Sequence, residues 1–328
     1  MFGCSTRPPS VDNPIPQPYT RIANPDTNIV QLQIALRKFV PARQDAPTIW
    51  LAAVMHVGES DYYRTLQRFL DTQTIVLYEG VSPESHPRHV HEAAASSNRA
   101  AAPAAQKTDA KSGYSMQSTL AHSIGLVFQL DAIDYERTNF LNSDLSIDQI
   151  QSIMAGGLPQ GAPGQQGGST TSFDTLLQIM DGSSFLGSLF RIGMQFIAAS
   201  PKMQAMAKLT FIEAIGRLKG DLSEVQGLPP DLKQLIRVLI QARDKNLVAD
   251  LKNELKKVPR SGSIAVFYGA GHMDDLEKRI TGELHYRPSQ EKWLTAFSVN
   301  MRQSGISPGE AQIMRNLIGS ELDQIKGP

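Results

Sequence analysis

Apolar positions in this chain fall into short runs that stop abruptly. Thr48–Met55, TIWLAAVM, is one such run and it ends at His56. Tyr63, Leu66, Phe69 and Leu70 follow at helical spacing, and a second β-branched run, Thr74–Tyr78, ends at Glu79-Gly80. Two apolar strands joined by one helix make a βαβ unit, so the strands are predicted parallel with a right-handed crossover. His56 and Glu79 then share the C-terminal edge of the sheet, where open α/β sheets take ligands. The pattern recurs late. Ser263–Gly271, SIAVFYGAG, is another buried-strand run, closed by His272 and followed by the helical MDDLEKRI. If the three strands are neighbours in one sheet, two histidines and a glutamate converge from distant sequence.

The remaining pattern supplies the frame. Ile29–Val40 reads as a strand and hairpin partner of Thr48–Met55. Met116–Leu130 reads as helix, and Asp131–Leu145 as an irregular polar and aromatic stretch. Ser146 and Gln149 have capping-box spacing ahead of a short helix. Pro201 and Pro229 fall where helix starts tolerate proline. Met194, Met203 and Met206 read as core or lid surface rather than a cofactor box. GELHYRP and EKWLTAFSVNM each read as a strand. Ser307 and Pro308 open a terminal amphipathic helix. The predicted fold class is α/β: a mixed central β-sheet with flanking helices and an inserted, mostly helical subdomain over residues 172–258. Residues 1–28 are expected to be a disordered Pro-rich tether. Residues 29–328 form the domain, interrupted by a low-complexity loop at 81–113 and a Gly-rich linker at 156–170.

Composition narrows the function classes. The formal net charge is +0, which gives no reason to expect nucleic acid as a partner. No apolar run reaches the length of a membrane span. Cys4 is the single cysteine, so structural disulfides are excluded. Gly3-Cys4-Ser5 before a Pro-rich stretch resembles a bacterial lipoprotein after its cleavage box. On that reading Cys4 carries a lipid and the protein is anchored in the cell envelope. No basic region and apolar run precede Cys4, so the alternative is a chance cysteine and a cytoplasmic protein.

Chemistry concentrates at the strand ends. His56 and His272 could ligate a divalent metal (zinc, manganese or cobalt), with Glu79 as third ligand or general base. Such an ion would lower the pKa of its water and polarise a carbonyl. Without metal, His56 could act as general base toward water, steered by Glu79. The plainer alternative is that each histidine satisfies backbone groups at a strand end. Arg243 could clamp a substrate carboxylate or stabilise an oxyanion; its plainer role is an ion pair with Asp244 or Asp250. Arg137 is a weaker candidate of the same kind. Gly269-Ala270-Gly271 lacks the Lys-Ser/Thr of a phosphate loop, and its glycines suit a tight strand-to-helix turn. His86, His89 and His91 lie in the low-complexity loop and read as solvated. His122, in a helix, and His285, in a strand, read as structural.

Four of these features together resemble the TraB/PrgY/GumN/TIKI group of the erythromycin esterase–ChaN-like superfamily. That group carries a Gly-x-x-His motif near each end of its domain, an acidic residue after the second strand, and an arginine on a late helix. Gly269-Ala270-Gly271-His272 matches the late motif. Ala53-Val54-Met55-His56 is similar to the early one, with alanine in place of glycine. Glu79 fits the acidic position and Arg243 the arginine, with Ala242 where a glutamate usually precedes it. The resemblance implies an EreA/ChaN-like fold and a metal-dependent hydrolase of peptidase or esterase type, acting on a peptide or small molecule. The same resemblance implies two alternatives, a non-enzymatic haem- or ligand-binding envelope protein of ChaN type and a degenerate, inactive member. Fold kinship alone does not choose among them.

Overall fold

Uniformly apolar runs go to the middle of the sheet, and alternating ones go to its flank. The computed structural model describes residues 18–42, 45–80, 118, 121–146, 149–150, 152–153, 197–217 and 230–326. Strand β1 is Thr20–Asp26, β2 is Ile29–Pro41 and β3 is Thr48–Val54. After His56 comes the short β4, Val57–Gly58, then helix α1, Ser60–Asp71, and β5, Ile75–Tyr78. Next are β6, Val127–Phe128, the one-turn α2, Gln129–Ala132, and β7, Phe140–Asn142. Two long helices follow: α3, Pro201–Arg217, and α4, Pro230–Glu254. Strand β8, Ser263–Gly269, leads through a 3-10 turn at Ala270–His272 into α5, Met273–Glu283. The chain closes with β9, Tyr286–Asn300, and α6, Pro308–Lys326.

These strands form a mixed seven-stranded sheet in the order β1-β2-β3-β8-β5-β7, with β9 also paired to β2. The protein is therefore mixed α/β, a mixed central sheet with flanking helices. On one side of the sheet, β2 pairs antiparallel with β1, β3 and β9. On the other, β3, β8, β5 and β7 are mutually parallel. All of β3 and β8 after their first residues is buried, as parallel strands covered on both faces must be. The first half of β2 alternates instead. Helix α1 buries Tyr62, Tyr63, Leu66 and Leu70 on one face, and Phe69 meets the Trp50 ring at 5.1 Å.

Strands β3 and β5 are parallel as expected, with β8 between them. Other expectations change. Thr20–Asp26, assigned to the tether, forms β1: an Asp26 carboxylate oxygen accepts the Asn28 and Ile29 N–H groups and closes a hairpin onto β2. Pro25 falls inside the register shift of this outer strand, where a missing N–H is tolerated. The helix expected over Met116–Leu130 ends at Gly125, whose φ of 68° is left-handed. Leu126 N–H bonds Ala121 O and Gly125 N–H bonds His122 O, a Schellman stop that frees Val127–Phe128 to pair with β4. The two late strands are one, β9, and His285 precedes it with φ of 58°. Both sequence-read caps are made: Ser146 with Gln149, and Ser307 with Glu310. Met203 is exposed, while Met206 packs against the core. Cys4, His86, His89, His91, Met194, the 81–113 loop and the 156–170 linker lie outside the described residues, as does much of 172–258.

A buried ionic knot ties the antiparallel side to α5. Arg37 of β2 bonds Glu277 of α5 and, at 2.7 Å, Glu291 of β9; Tyr19 donates to Glu277 at 2.6 Å. Burial pushes the Tyr19 hydroxyl well above its ordinary range, so it stays a donor. Arg37→Ala would leave Glu277 buried without its cation, at a cost of about 3 kcal/mol. Urea unfolding should show that loss; an unchanged midpoint would mean that water serves Glu277 equally well.

Candidate functional site

Each of the four parallel strands ends in a residue with a chemical side chain. His56 lies two residues after β3, Glu79 one after β5, His272 three after β8 and Asp144 two after β7. The sheet order β3-β8-β5-β7 sets them side by side as His56, His272, Glu79 and Asp144. Parallel pairing alone does this, because it puts all four C-terminal ends on one edge.

Helix α4 covers that edge and is clipped to it. Arg243, Asn246 and Asp250 recur at helical spacing on one face. Asn246 Nδ2 donates to Ser143 O at 3.1 Å, and Ser143 Oγ donates to Asp250 at 2.9 Å. Arg243 forks onto Asp144, Nε to Oδ1 at 2.8 Å and one terminal nitrogen to Oδ2 at 2.6 Å. The same terminal nitrogen reaches Glu79 Oε1 at 2.7 Å. Tyr268 of β8 braces the assembly by donating its hydroxyl to Ser143 O at 2.8 Å.

Glu79 is held on both oxygens. Its Oε2 accepts the Gly269 N–H at 2.7 Å. A Cβ on Gly269 would sit 3.1 Å from that oxygen, 3.9 Å from His56 Nε2 and 4.0 Å from His272 Cδ2. The three sequence-predicted groups therefore meet over one glycine, and a side chain there would crowd Glu79 Oε2 while only touching the two rings. Burial alone would raise the Glu79 pKa, but Arg243, then His272, the Gly269 N–H and His56 outweigh it and bring the carboxyl down to about 2. Burial likewise opposes the charge on Arg243, yet Asp144 and Glu79 hold its pKa above the ordinary arginine value.

The two histidines are supported differently. The exposed His56 gives its Nδ1–H to Gln129 Oε1 at 3.0 Å, and the Gln129 amide nitrogen donates to Tyr135 Oη at 2.7 Å. His272 is buried, edge-on to Tyr268, and its Nδ1 lies 2.6 Å from Asp244 Oδ1. Its Nε2 faces an Arg243 terminal nitrogen at 3.5 Å and Glu79 Oε1 at 3.8 Å. In both rings Nδ1 is taken; Nε2 is open in His56 and faces Arg243 in His272. Burial pushes the Asp244 carboxyl up to about 6, against the pull of His272.

Sequence reasoning expected Asp244 or Asp250 to pair with Arg243; instead Asp144 and Glu79 do, and Asp244 serves His272. Asp144, Asp244 and Gln129 were missed. Asp144 follows a strand of only three residues. Asp244 carried a readable signal: it shares the stripe of Leu247, Val248 and Leu251, all buried, where an unpaired acid would not stay. Arg137 is exposed and pairs with Asp71 and Asp134, away from the cluster. His122 lies at a helix end, exposed.

A divalent ion fits this arrangement poorly. Among the described residues, no group of three or more His, Cys, Asp or Glu side chains is placed to hold one. Both Glu79 oxygens already accept a donor, and the Arg243 cation stands 3.5 Å from His272 Nε2.

The Glu79 shift predicts an acid limb. Its folded pKa of about 2 lies below the unfolded carboxylate value of 4.5. The stabilisation is therefore complete above about pH 4.5 and lost as pH falls toward 2. Its size is on the order of 3 kcal/mol. Urea midpoints measured down through this window should fall more steeply for wild type than for Glu79→Gln; parallel curves would refute the pairing energy. No family model, curated protein or solved structure matches the chain.

Proposed function

We propose that this protein is a hydrolase of ester or peptide bonds with an erythromycin esterase–ChaN-like fold, and that His56 is its general base. What supports the reading is the meeting of His56 Nε2, Glu79 and His272 over Gly269, at the edge of a parallel sheet. His56 is the exposed member, and its Nδ1–H is already committed to Gln129. Its Nε2 lone pair can take a proton from water as the water oxygen attacks a substrate carbonyl. Glu79 stabilises the imidazolium that forms. Arg243 has one terminal nitrogen uncommitted to Asp144 or Glu79, 3.5 Å from His272 Nε2, and the N–H that it does not give that ring can meet the developing oxyanion. When the tetrahedral intermediate collapses, the His56 imidazolium returns its proton to the leaving alcohol or amine.

The remaining readings are outcomes of one test. Purified protein is assayed for metal content and screened with activated esters and short peptides, with and without chelator. Hydrolysis that survives chelation and falls about 100-fold or more in His56→Ala is expected. Near-stoichiometric divalent metal, lost in both His56→Ala and His272→Ala, would replace the proton-transfer role with ligation. Haem uptake without hydrolysis of any substrate would overturn the enzyme reading in favour of binding.

A further inference from the structure

The acid behind His272 is more than packing requires. Asp244 is fully buried on the otherwise apolar stripe of α4 that carries Leu247, Val248 and Leu251. One of its oxygens lies 2.6 Å from His272 Nδ1. The other, Oδ2, has no hydrogen-bond partner among the described residues, and the nearby Asp275 carboxyl of α5 further disfavours its charge. A buried carboxylate with an orphan oxygen carries a desolvation penalty that a leucine there would not. Such groups call for an explanation outside packing.

The surroundings of His272 supply one. Its ring has a partner on each nitrogen, and each partner can play a single role. An ionised carboxylate at Nδ1 can only accept, and a guanidinium at Nε2 can only donate. Both demand the same tautomer, proton on Nδ1 and lone pair on Nε2. The edge-on Tyr268 ring at 5.5 Å limits rotation of the imidazole. His56 has only a neutral amide in the equivalent place. A carboxylate stabilises a developing imidazolium far more than an amide oxygen does. The histidines are thus built for unequal duties.

We propose that Asp244 is a positioning residue, which locks His272 as the Nδ1–H tautomer with its Nε2 lone pair aimed at the Glu79–Arg243 pair. In the hydrolase reading, on which this part rests, His272 Nε2 accepts an N–H of Arg243 and so holds the guanidinium in line with Glu79 and the developing oxyanion. Removing the Asp244 carboxylate should therefore lower turnover rather than substrate affinity.

The test has one arm that needs no activity. Long-range proton–nitrogen NMR of histidine-labelled protein at neutral pH reports which ring nitrogen carries the proton, with His272 assigned by its disappearance in His272→Gln. Wild type should show the Nδ1–H form, and Asp244→Asn should populate Nε2–H, because the amide can turn its own N–H toward Nδ1. A wild-type ring protonated at Nε2, alone or together with Nδ1, overturns the proposal. So does an Asp244→Asn spectrum identical to wild type. Should that variant fail to fold, the wild-type spectrum still decides the tautomer. In the activity arm, Asp244→Asn should lower kcat about 10–100-fold with KM little changed. Full kcat in Asp244→Asn alongside an inactive His56→Ala would sink the Asp244 role and leave the hydrolase reading standing. A wild type that hydrolyses nothing but shows the expected tautomer would do the reverse.

Discussion

One guanidinium, largely enclosed in protein, holds the candidate site of this molecule together. Arg243 is 14% exposed and shares its donors between Asp144, which is 0% exposed, and Glu79, at 16%. Charges this poorly solvated persist only when each has a close opposite partner. The three therefore constrain one another. They fix α4 over the sheet edge, and they fix the exits of β5 and β7 beneath it. Asp144 also accepts the Gly80 N–H at 3.1 Å, so even the first backbone group past Glu79 belongs to the same unit.

That clip works because the topology brings distant segments to a common line. Strand β8 enters the sheet between β3 and β5, some two hundred residues after either was laid down. Its register with β3 sets Val54 beside Gly269, so the two histidine-bearing turns leave the sheet at almost the same level. The antiparallel side contributes support rather than chemistry. Through Arg37, Glu277 and Glu291 it anchors α5, the helix that begins directly after His272. The ring is thus held from two directions, by α4 through Asp244 and by α5 through the chain itself.

The strand ends were legible in the sequence because burial on both faces leaves an unbroken apolar run, and such a run advertises where it stops. His56, Glu79 and His272 are all first polar groups after a run of that kind, and the structure brings all three together. The single adjacency that mattered, β8 between β3 and β5, was readable only as a condition, since pairing order is a long-range property. Asp144 was hidden because Phe140–Asn142 is too short to show a period. Gln129 was hidden by a mistaken helix: Gly125 in a left-handed turn ends the periodic stretch, and periodicity gives no warning of a stop inside it. The early hairpin was masked by prolines, although Asp26 has the turn chemistry that makes it. Asp244 was visible in hindsight, an acid on a leucine stripe, but its helix neighbour Arg243 offered a simpler partner.

The distribution of charge also says what kind of chemistry this edge suits. Two His and one carboxylate at strand ends would ordinarily invite a metal ion to balance the negative charge and activate water. Here a cation is already present as Arg243, bonded to Glu79 Oε1. A guanidinium cannot make water acidic, so a base must take the proton directly. In the hydrolase we propose, the exposed His56 imidazole, with its open nitrogen near Glu79, takes that task. The guanidinium can still do the ion's other job of stabilising charge on oxygen, since its donors are fixed in place before any substrate arrives. On the proposed reading, proton removal and charge stabilisation, which one metal would combine, are divided between His56 and Arg243. The buried His272 lies between them, and its carboxylate partner is the stronger of the two that support the imidazoles.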